Sequence, residues 1–541
     1  MQNVLRSLLV LVCLCSGSTA WGVEQVSQPV YKVVELLEVM MPLVDGTRLA
    51  TNIFLPEGNG PWSTILVRTP YDKRGSDNKT AHFFAERGYA YVVQDTRGRY
   101  DSEGEFSPFA DEGKDGYDAQ SWVASQPWCD GNIGTAGASY ACVTQWLSAP
   151  RSHPAIKAMV PRLTSSNVYE MMYHRGAFEL ATIGLWALKT TNPIDYGRNK
   201  PRILAALDSL PLVTLDIVAS GRKIPFLRDW ISHPAEGAYW RPVIVDDEYG
   251  DIDIPVLNIG GWYDIFATET VNNYVGMVRD AKSDKIRKGQ RLLMGPWQHV
   301  MSGRFGRIGE LQFGQDSWVD QRDLQLRWFD QILKGALNGI LDEPPVRIFV
   351  MGENRWRNEQ EWPLERQRAT TYFLQSETGA NSRSGDGALT TIQPNTAVRD
   401  TFTYDPANPV RTKGGALLGI ADGPHDQGEI EDRPDVLVYS SAILKEPIEV
   451  TGHIKLILYA STDARSTDFT AKLVDVYPAG VSEVFHLFSY RTWKKFDDVF
   501  ILIYDVMKSQ IVKPTNINLP GVLNGARTTY AATKTLQRKL F

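Results

Sequence analysis

Cysteine is scarce in this chain, with 4 in 541 residues. Cys13 and Cys15 fall in an N-terminal leader, so Cys129 and Cys142 are the two that remain beyond it. That excludes a disulfide scaffold, and no Cys/His spacing resembles a zinc site. No metal and no cofactor is expected. Positive charge is not in excess either: 57 Lys+Arg stand against 63 Asp+Glu, for a net charge of −6. A nucleic-acid binder needs a basic domain or patch, so no nucleic-acid partner is expected. Beyond the leader no apolar run approaches the ~20 residues that cross a bilayer. Without these staples the fold must rest on its core. A hydrophobic content of 43% with 22% charged residues is that of an ordinary globular protein. The length predicts two to four domains.

The leader is residues 1–20, "MQNVLRSLLVLVCLCSGSTA". Arg6 supplies its positive charge, Leu8–Cys15 its apolar run, and Ser18-Thr19-Ala20 a small-residue cleavage site. This is the three-part pattern of a secretory signal, and export to the periplasm or the extracellular space is expected. A membrane anchor is the plainer alternative, but the apolar run is too short to span.

Compact apolar runs follow at Thr64–Arg68, Tyr89–Asp95, Ile156–Pro161, Pro255–Gly261 and Arg291–Gly295. Each is bounded by Gly, Pro or a charge, as buried parallel strands are. Helix-like stretches such as "KTAHFFAERG" lie between them. The alternation predicts an α/β fold in two parts, residues 21–162 and 251–362. Residues 163–250 are long, aromatic and helix-like, and are expected to form a cap over the sheet. After Pro363 the runs "TTYFLQ", "DVLVYSS", "EVTGHIKLILYAS" and "DFTAKLVDVYP" predict an all-β sandwich over 363–541. The end departs from that texture: 508–541 holds six Lys/Arg, no Asp or Glu, and no strong strand pattern.

The chemistry centres on "GNIGTAGASYACVTQWLSAP", residues 131–150. A weak strand ends at Gly137 and a helix begins after Ser139, so Ser139 lies at a strand-to-helix turn flanked by small residues. The helix N-terminus then faces the place where an oxyanion would form. Ala141 stands where the familiar Gly-x-Ser-x-Gly pattern has its second glycine. A serine nucleophile needs a base, and the base an orienting acid, in the chain order Ser, Asp or Glu, His. Of the eight histidines, only His299, in "RLLMGPWQHV", follows a buried strand after a suitable acid. That acid is Asp264 in "PVLNIGGWYDIF", one strand earlier. Loops at strand C-termini are where α/β sheets build their sites. Each residue has a plainer reading: Asp264 could cap a helix starting at Ile265, and His299 could be a surface loop histidine. For the oxyanion hole, the backbone N–H of Tyr140 and the hydroxyl of Tyr71 are the candidate donors. Tyr71 could equally be a packed turn residue.

These residues carry a resemblance. "VRTPYDK", "DTRGRYDSEGEF", "PWCDGNIGTAGASY", "GGWYDIF", "GPWQH" and "PPVRIFVMGENRWRNEQEWP" resemble the cocaine esterase family, with its α-amino-acid ester hydrolases and X-Pro dipeptidyl-peptidases. The resemblance runs from Leu66 to Pro363 and, more weakly, to Gly480. It implies an α/β-hydrolase domain with a helical cap and a C-terminal jelly roll. By position it implies Ser139 as nucleophile, His299 as base, Asp264 as its acid, and Tyr71 and Tyr140 as oxyanion donors. Two departures stand out: Cys142 replaces a usual glycine, and the last sixty residues do not follow the family's jelly-roll ending.

The expected function is a secreted serine hydrolase that cleaves a small ester or amide through an acyl-enzyme. The alternatives are an X-Pro dipeptidyl-peptidase and, in another class, a non-catalytic binding protein that uses the sandwich. The acidic run "VDDEYGD" (Val245–Asp251) is either an α-amino-binding cluster or a solvated loop. Cys142 is expected to be buried, reduced and unreactive.

Overall fold

The computed structural model describes residues 26–476, apart from 76–77, 301–305, 397, 420, 453 and 465–466, together with the strands 482–484, 489–491 and 498–506. The leader and the basic stretch 508–541 lie outside the described residues.

Six strands form the first block of sheet: β1 (Val33–Pro42), β2 (Arg48–Pro56), β3 (Trp62–Thr69), β4 (Ala90–Asp95), β5 (Cys129–Ala136) and β6 (Ile156–Val160). Their spatial order is β1-β2-β4-β3-β5-β6. β4, β3, β5 and β6 run parallel, while β1 and β2 form an antiparallel edge. A second block holds β7 (Leu257–Tyr263), β8 (Arg291–Gln298), β9 (Val346–Val350) and β10 (Arg355–Glu359) in sequence order, the first three parallel. The blocks meet where Met159 bridges Val256 and Arg162 bridges Ile259. The backbone bonds there are Met159 N–H to Pro255 O (3.1 Å), Ile259 N–H to Pro161 O (3.2 Å) and Leu163 N–H to Ile259 O (2.8 Å).

Alternation along the strands sorts side chains to the two faces. Leu66, Val92 and Ile133 pack with Ala119, Val123, Val143 and Trp146 from helices Glu112–Ala124 and Tyr140–Ser148. Ile65, Val67, Tyr91 and Val93 pack with Phe84 and Phe329 from helices Asn78–Ala85 and Gln321–Leu333. Burial on both faces is why the parallel strands read as unbroken apolar runs.

Between β6 and β7 the chain leaves the sheet. It forms helices Val168–Met172, Leu185–Thr191, Pro193–Ala206, Leu215–Ser220 and Pro225–Ser232, with a two-residue hairpin at 173–178 and a π-helical turn at Leu180–Gly184. Tyr169, Met172, Leu188, Leu227 and Trp230 share one core with the sheet's first helical face. The C-terminal part is β-rich, with a six-stranded sheet, Phe373–Gln375 to Asp498–Val506, and a two-stranded ribbon pairing Glu449–Thr451 with Ser489–Arg491. Of the run "EVTGHIKLILYAS", expected as strand, Glu449–Thr451 is strand and residues 454–461 are not: Ile457 and Tyr459 are exposed and pair with no strand among the described residues.

Candidate active site

Ser139 sits at φ 59°, ψ −126°, a left-handed conformation costly for a residue with a Cβ. Two contacts hold it there: its N–H donates to Arg162 O (3.0 Å), and Thr164 Oγ1 donates to its carbonyl (3.1 Å). Ser139 is the cap residue of helix Tyr140–Ser148, yet its side chain makes no capping bond. The hydroxyl is left to face His299. Gly137, at φ 152°, lets the turn close: a Cβ there would lie 2.8 Å from the Ala141 Cβ. An alanine at 141 is therefore accommodated because the residue opposite it is glycine.

His299 follows β8 directly, and Asp264 follows β7. Parallel pairing of β7 with β8 brings their C-terminal ends side by side. His299 Nε2 lies 2.9 Å from Ser139 Oγ, and His299 Nδ1 lies 2.6 Å from Asp264 Oδ1. Asp264 is 1% exposed. Phe266 packs edge-on against the His299 ring at 5.4 Å. The three residues predicted from sequence are thus brought together, one from each of three strand ends.

Both oxyanion candidates stand next to Ser139, Tyr140 in the chain and Tyr71 through its hydroxyl. The Tyr140 N–H is the first of its helix, one of the donors that a helix leaves without an intrahelical acceptor. Its side chain is committed elsewhere: the phenol donates to Glu112 Oε1 (2.9 Å) and accepts from Phe109 N–H (2.9 Å). Tyr71 is 41% exposed, and its hydroxyl accepts a hydrogen bond from Trp186 Nε1 (2.9 Å). Loss of water around that hydroxyl raises its pKa above the ordinary phenol value, with Trp186 and the Ser139 side chain acting the other way. Tyr71 thus keeps its proton, and its hydroxyl stands beside the Ser139 side chain.

Cys142 is fully buried, and its Sγ accepts the Arg162 N–H (3.1 Å). Cys129 and Cys142 are both free thiols. In the acidic run, Asp246 accepts from Asn167 Nδ2 (3.0 Å), Asp247 pairs with Arg241, and Glu248 pairs with Arg151 (3.0 Å). Those acids are engaged with the protein itself.

Sequence reading missed a second group of charges. Glu269, five residues past Asp264, lies 3.6 Å from His174 Nδ1, and its Oε2 is buried without a partner. Glu170 and Glu179 join it, and burial raises both carboxyls. Burial opposes charge on His174, but Glu269 and Glu179 outweigh it and raise its pKa. Glu170, His174 and Glu269 each offer a donor atom within 4.8 Å of one another, the one such group among the described residues. Arg175 donates its backbone N–H to Glu170 Oε2 (3.2 Å), and the charge of its guanidinium acts on Glu269 and Glu170. Glu170, His174, Arg175 and Glu179 lie on a stretch that reads only as aromatic helix, Glu269 lies on helix Ala267–Asp280, and no spacing signal marks any of them.

Comparison with known proteins agrees with this architecture. The model of the X-Pro dipeptidyl-peptidase (S15) family matches residues 45–301, and that of the X-Pro dipeptidyl-peptidase C-terminal non-catalytic domain matches 338–529. The chain is 36% identical over 469 residues to the cocaine esterase of Rhodococcus sp. (strain MB1 Bresler), covering 82% of this chain and 80% of that one. It is 25% identical over 527 residues to a putative serine esterase of Mycobacterium bovis, covering 84% and 80%. Among solved structures, an α-amino acid ester hydrolase superposes with a TM-score of 0.69 at 23% identity, covering 92% of this chain and 93% of that one. An aminopeptidase from a marine sediment Thaumarchaeota archaeon gives 0.67 at 23% identity, covering 88% and 89%. At these identities the structural likeness speaks for the fold.

Fold and relatives together define the class: the chain is a serine hydrolase built on an α/β-hydrolase domain, with a C-terminal β domain. It belongs to the family of cocaine esterase and the X-Pro dipeptidyl-peptidases.

Proposed function

We propose that this hydrolase is exported and cleaves a small ester or amide through an acyl-enzyme, with Ser139 as nucleophile, His299 as base and Asp264 as its orienting acid. The observation that carries the reading is the unbroken run of short contacts from Ser139 through His299 to Asp264. Ser139 Oγ attacks the substrate carbonyl carbon while His299 Nε2 takes its proton. Asp264 holds the imidazole by Nδ1 and stabilises the imidazolium. The carbonyl oxygen becomes an oxyanion, facing the Tyr140 N–H and the Tyr71 hydroxyl. Collapse expels the alcohol or amine, which takes the proton from His299. Water then attacks the acyl-enzyme by the same route, releasing the acid and restoring the serine.

Ester cleavage is favoured by the relationship to cocaine esterase. Trp186 and Phe266 beside the triad suit an apolar acyl group. Cleavage of a peptide with a free amino terminus is a second reading, favoured by the family description. The excess of acid at half-buried Glu170 and Glu179 and buried Glu269 over Arg175 and His174 would suit a cationic group. Export rests on the leader at residues 1–20.

A fluorophosphonate probe should label the wild-type protein at Ser139 and leave Ser139→Ala unlabelled. Turnover in that variant should fall by on the order of 10⁶. Retained labelling would remove Ser139 from the mechanism. Rates on p-nitrophenyl butyrate and on Ala-Pro-p-nitroanilide separate the two substrate readings.

A further inference from the structure

We propose that Trp186 is a positioning residue of the reaction: its indole N–H turns the Tyr71 hydroxyl proton toward Ser139 and ties the oxyanion donor to the seating of the cap. The inference rests on the reading of Tyr71 as an oxyanion donor.

An indole nitrogen can only donate. In the 2.9 Å bond between Trp186 Nε1 and Tyr71 Oη, the phenol oxygen is therefore the acceptor, and its own proton must point elsewhere. The Ser139 side chain is the other hydrogen-bonding group beside this hydroxyl, with Arg99 and Tyr100 acting on it only through their charge. A phenol without such a partner spreads its proton over two directions in the ring plane. With Trp186 in place one of them is closed, and the donor is set before the oxyanion forms.

The indole is itself held firmly. It stacks on Tyr140 (6.0 Å between centroids, 10° between planes) and on Phe109 (6.1 Å, 23°). Phe226 and Trp230 close on it at 6.3 and 6.1 Å. Its helix, Leu185–Thr191, follows directly on the π-helical turn Leu180–Gly184. One extra residue in a turn rotates everything beyond it by about 100°, and such turns recur at functional sites. Tyr71 stands on the loop after β3, whereas Trp186 belongs to the cap. One hydrogen bond thus joins the two bodies at the reacting centre.

The test compares Trp186→Phe in two backgrounds, wild type and Tyr71→Phe. In the wild-type background kcat should fall at least about tenfold, part of the ~10²–10³ that a lost oxyanion donor costs, with KM changed less than about threefold. The inhibition constant of a boronic acid, whose tetrahedral adduct carries the same oxygen, should rise in parallel. In the Tyr71→Phe background Trp186→Phe should change kcat no further. A β-(3-benzothienyl)alanine installed at position 186 keeps the bicyclic ring without the N–H and should reproduce the loss, whether or not Trp186→Phe folds well. Wild-type kcat with the benzothienyl side chain, or an equal loss in both backgrounds, would overturn the proposal. Unchanged turnover in Tyr71→Phe alone would instead remove Tyr71 from the oxyanion hole, and this inference with it.

Discussion

At the residue scale, the turn at Ser139 concentrates strain, and its neighbours are chosen around it. Gly137→Ala would place a methyl 2.8 Å from the Ala141 Cβ at a φ of 152°. Stability should drop by about 1–3 kcal/mol, measured by urea titration. Adding Ala141→Gly should recover part of the loss, because the methyl contact is relieved while the close approach to the residue 141 carbonyl (3.0 Å) and the backbone strain remain. Asp264→Asn should keep the fold but lower turnover about 10⁴-fold, since the imidazole is then held in the wrong tautomer. Steady-state kinetics beside a thermal melt check both halves of that statement. Cys142 should stay silent to a thiol reagent in the native protein and react after denaturation without reductant, as two thiols with Cys129. Asp264 and His299 could be found in the sequence because each follows a compact apolar strand, and Ser139 because small residues flank it between a weak strand and a helix; chain order and strand position together narrow eight histidines to one. Trp186 and the carboxylates Glu170, Glu179 and Glu269 could not. Their meeting depends on how the cap packs on itself and on helix Ala267–Asp280, and no local period encodes that.

At the scale of elements, the loop after β3 must hold Tyr71 against the serine, and Lys73 is its clamp. Lys73 is fully buried, with Nζ 2.7 Å from Asp101, 3.0 Å from Glu38 and 3.5 Å from Asp95. Burial pushes the Asp95 carboxyl up to about 6, against the pull of Lys73. Its folded pKa lies above its free value of 3.8, so this group favours folding at low pH. Its contribution is lost as pH rises from about 4 through 6. Lys73→Met strips Asp95 of its cation, and breaking such a buried pair costs about 3–5 kcal/mol. The deficit should be largest at pH 8 and visibly smaller at pH 5, read from urea midpoints at the two values. The five apolar runs read as strands are all in the sheet. The antiparallel pair β1 and β2 went unread: β1 is mostly exposed and carries no clean alternation, and β2, though largely buried, has its apolar run broken by Thr51 and Asn52. "IKLILYAS" shows the opposite failure: the pattern is strand-like, yet residues 454–461 pair with no strand among the described residues.

At the scale of the whole molecule, the β domain braces the loop that bears His299. Gln298 Nε2 donates to Asp422 O (2.9 Å), and Glu310 meets His425 (3.0 Å) and the Pro424 carbonyl (2.9 Å, through its N–H). Arg357 on β10 grips Glu449 of the two-stranded ribbon with both of its terminal nitrogens, at 3.0 and 2.6 Å. This pair is only partly buried, so Arg357→Ala should cost about 1–3 kcal/mol. Calorimetry should show the single transition broadening or splitting in two. The change from alternating α/β to β-rich texture after Pro363 made the second domain legible; its docking on β8 and β10 uses scattered polar side chains that leave no pattern. A different consequence follows from the junction of β6 with β7. Ser139 belongs to one block of sheet, while Asp264 and His299 both belong to the other, and three backbone bonds cross between the blocks. The junction is a fault line that runs between the nucleophile and its base. A slip along it lengthens the Ser139–His299 contact and leaves His299–Asp264 untouched. Catalysis is therefore the molecule's most sensitive strain gauge, and gentle heating should silence turnover while the circular dichroism of both blocks is still that of the folded protein.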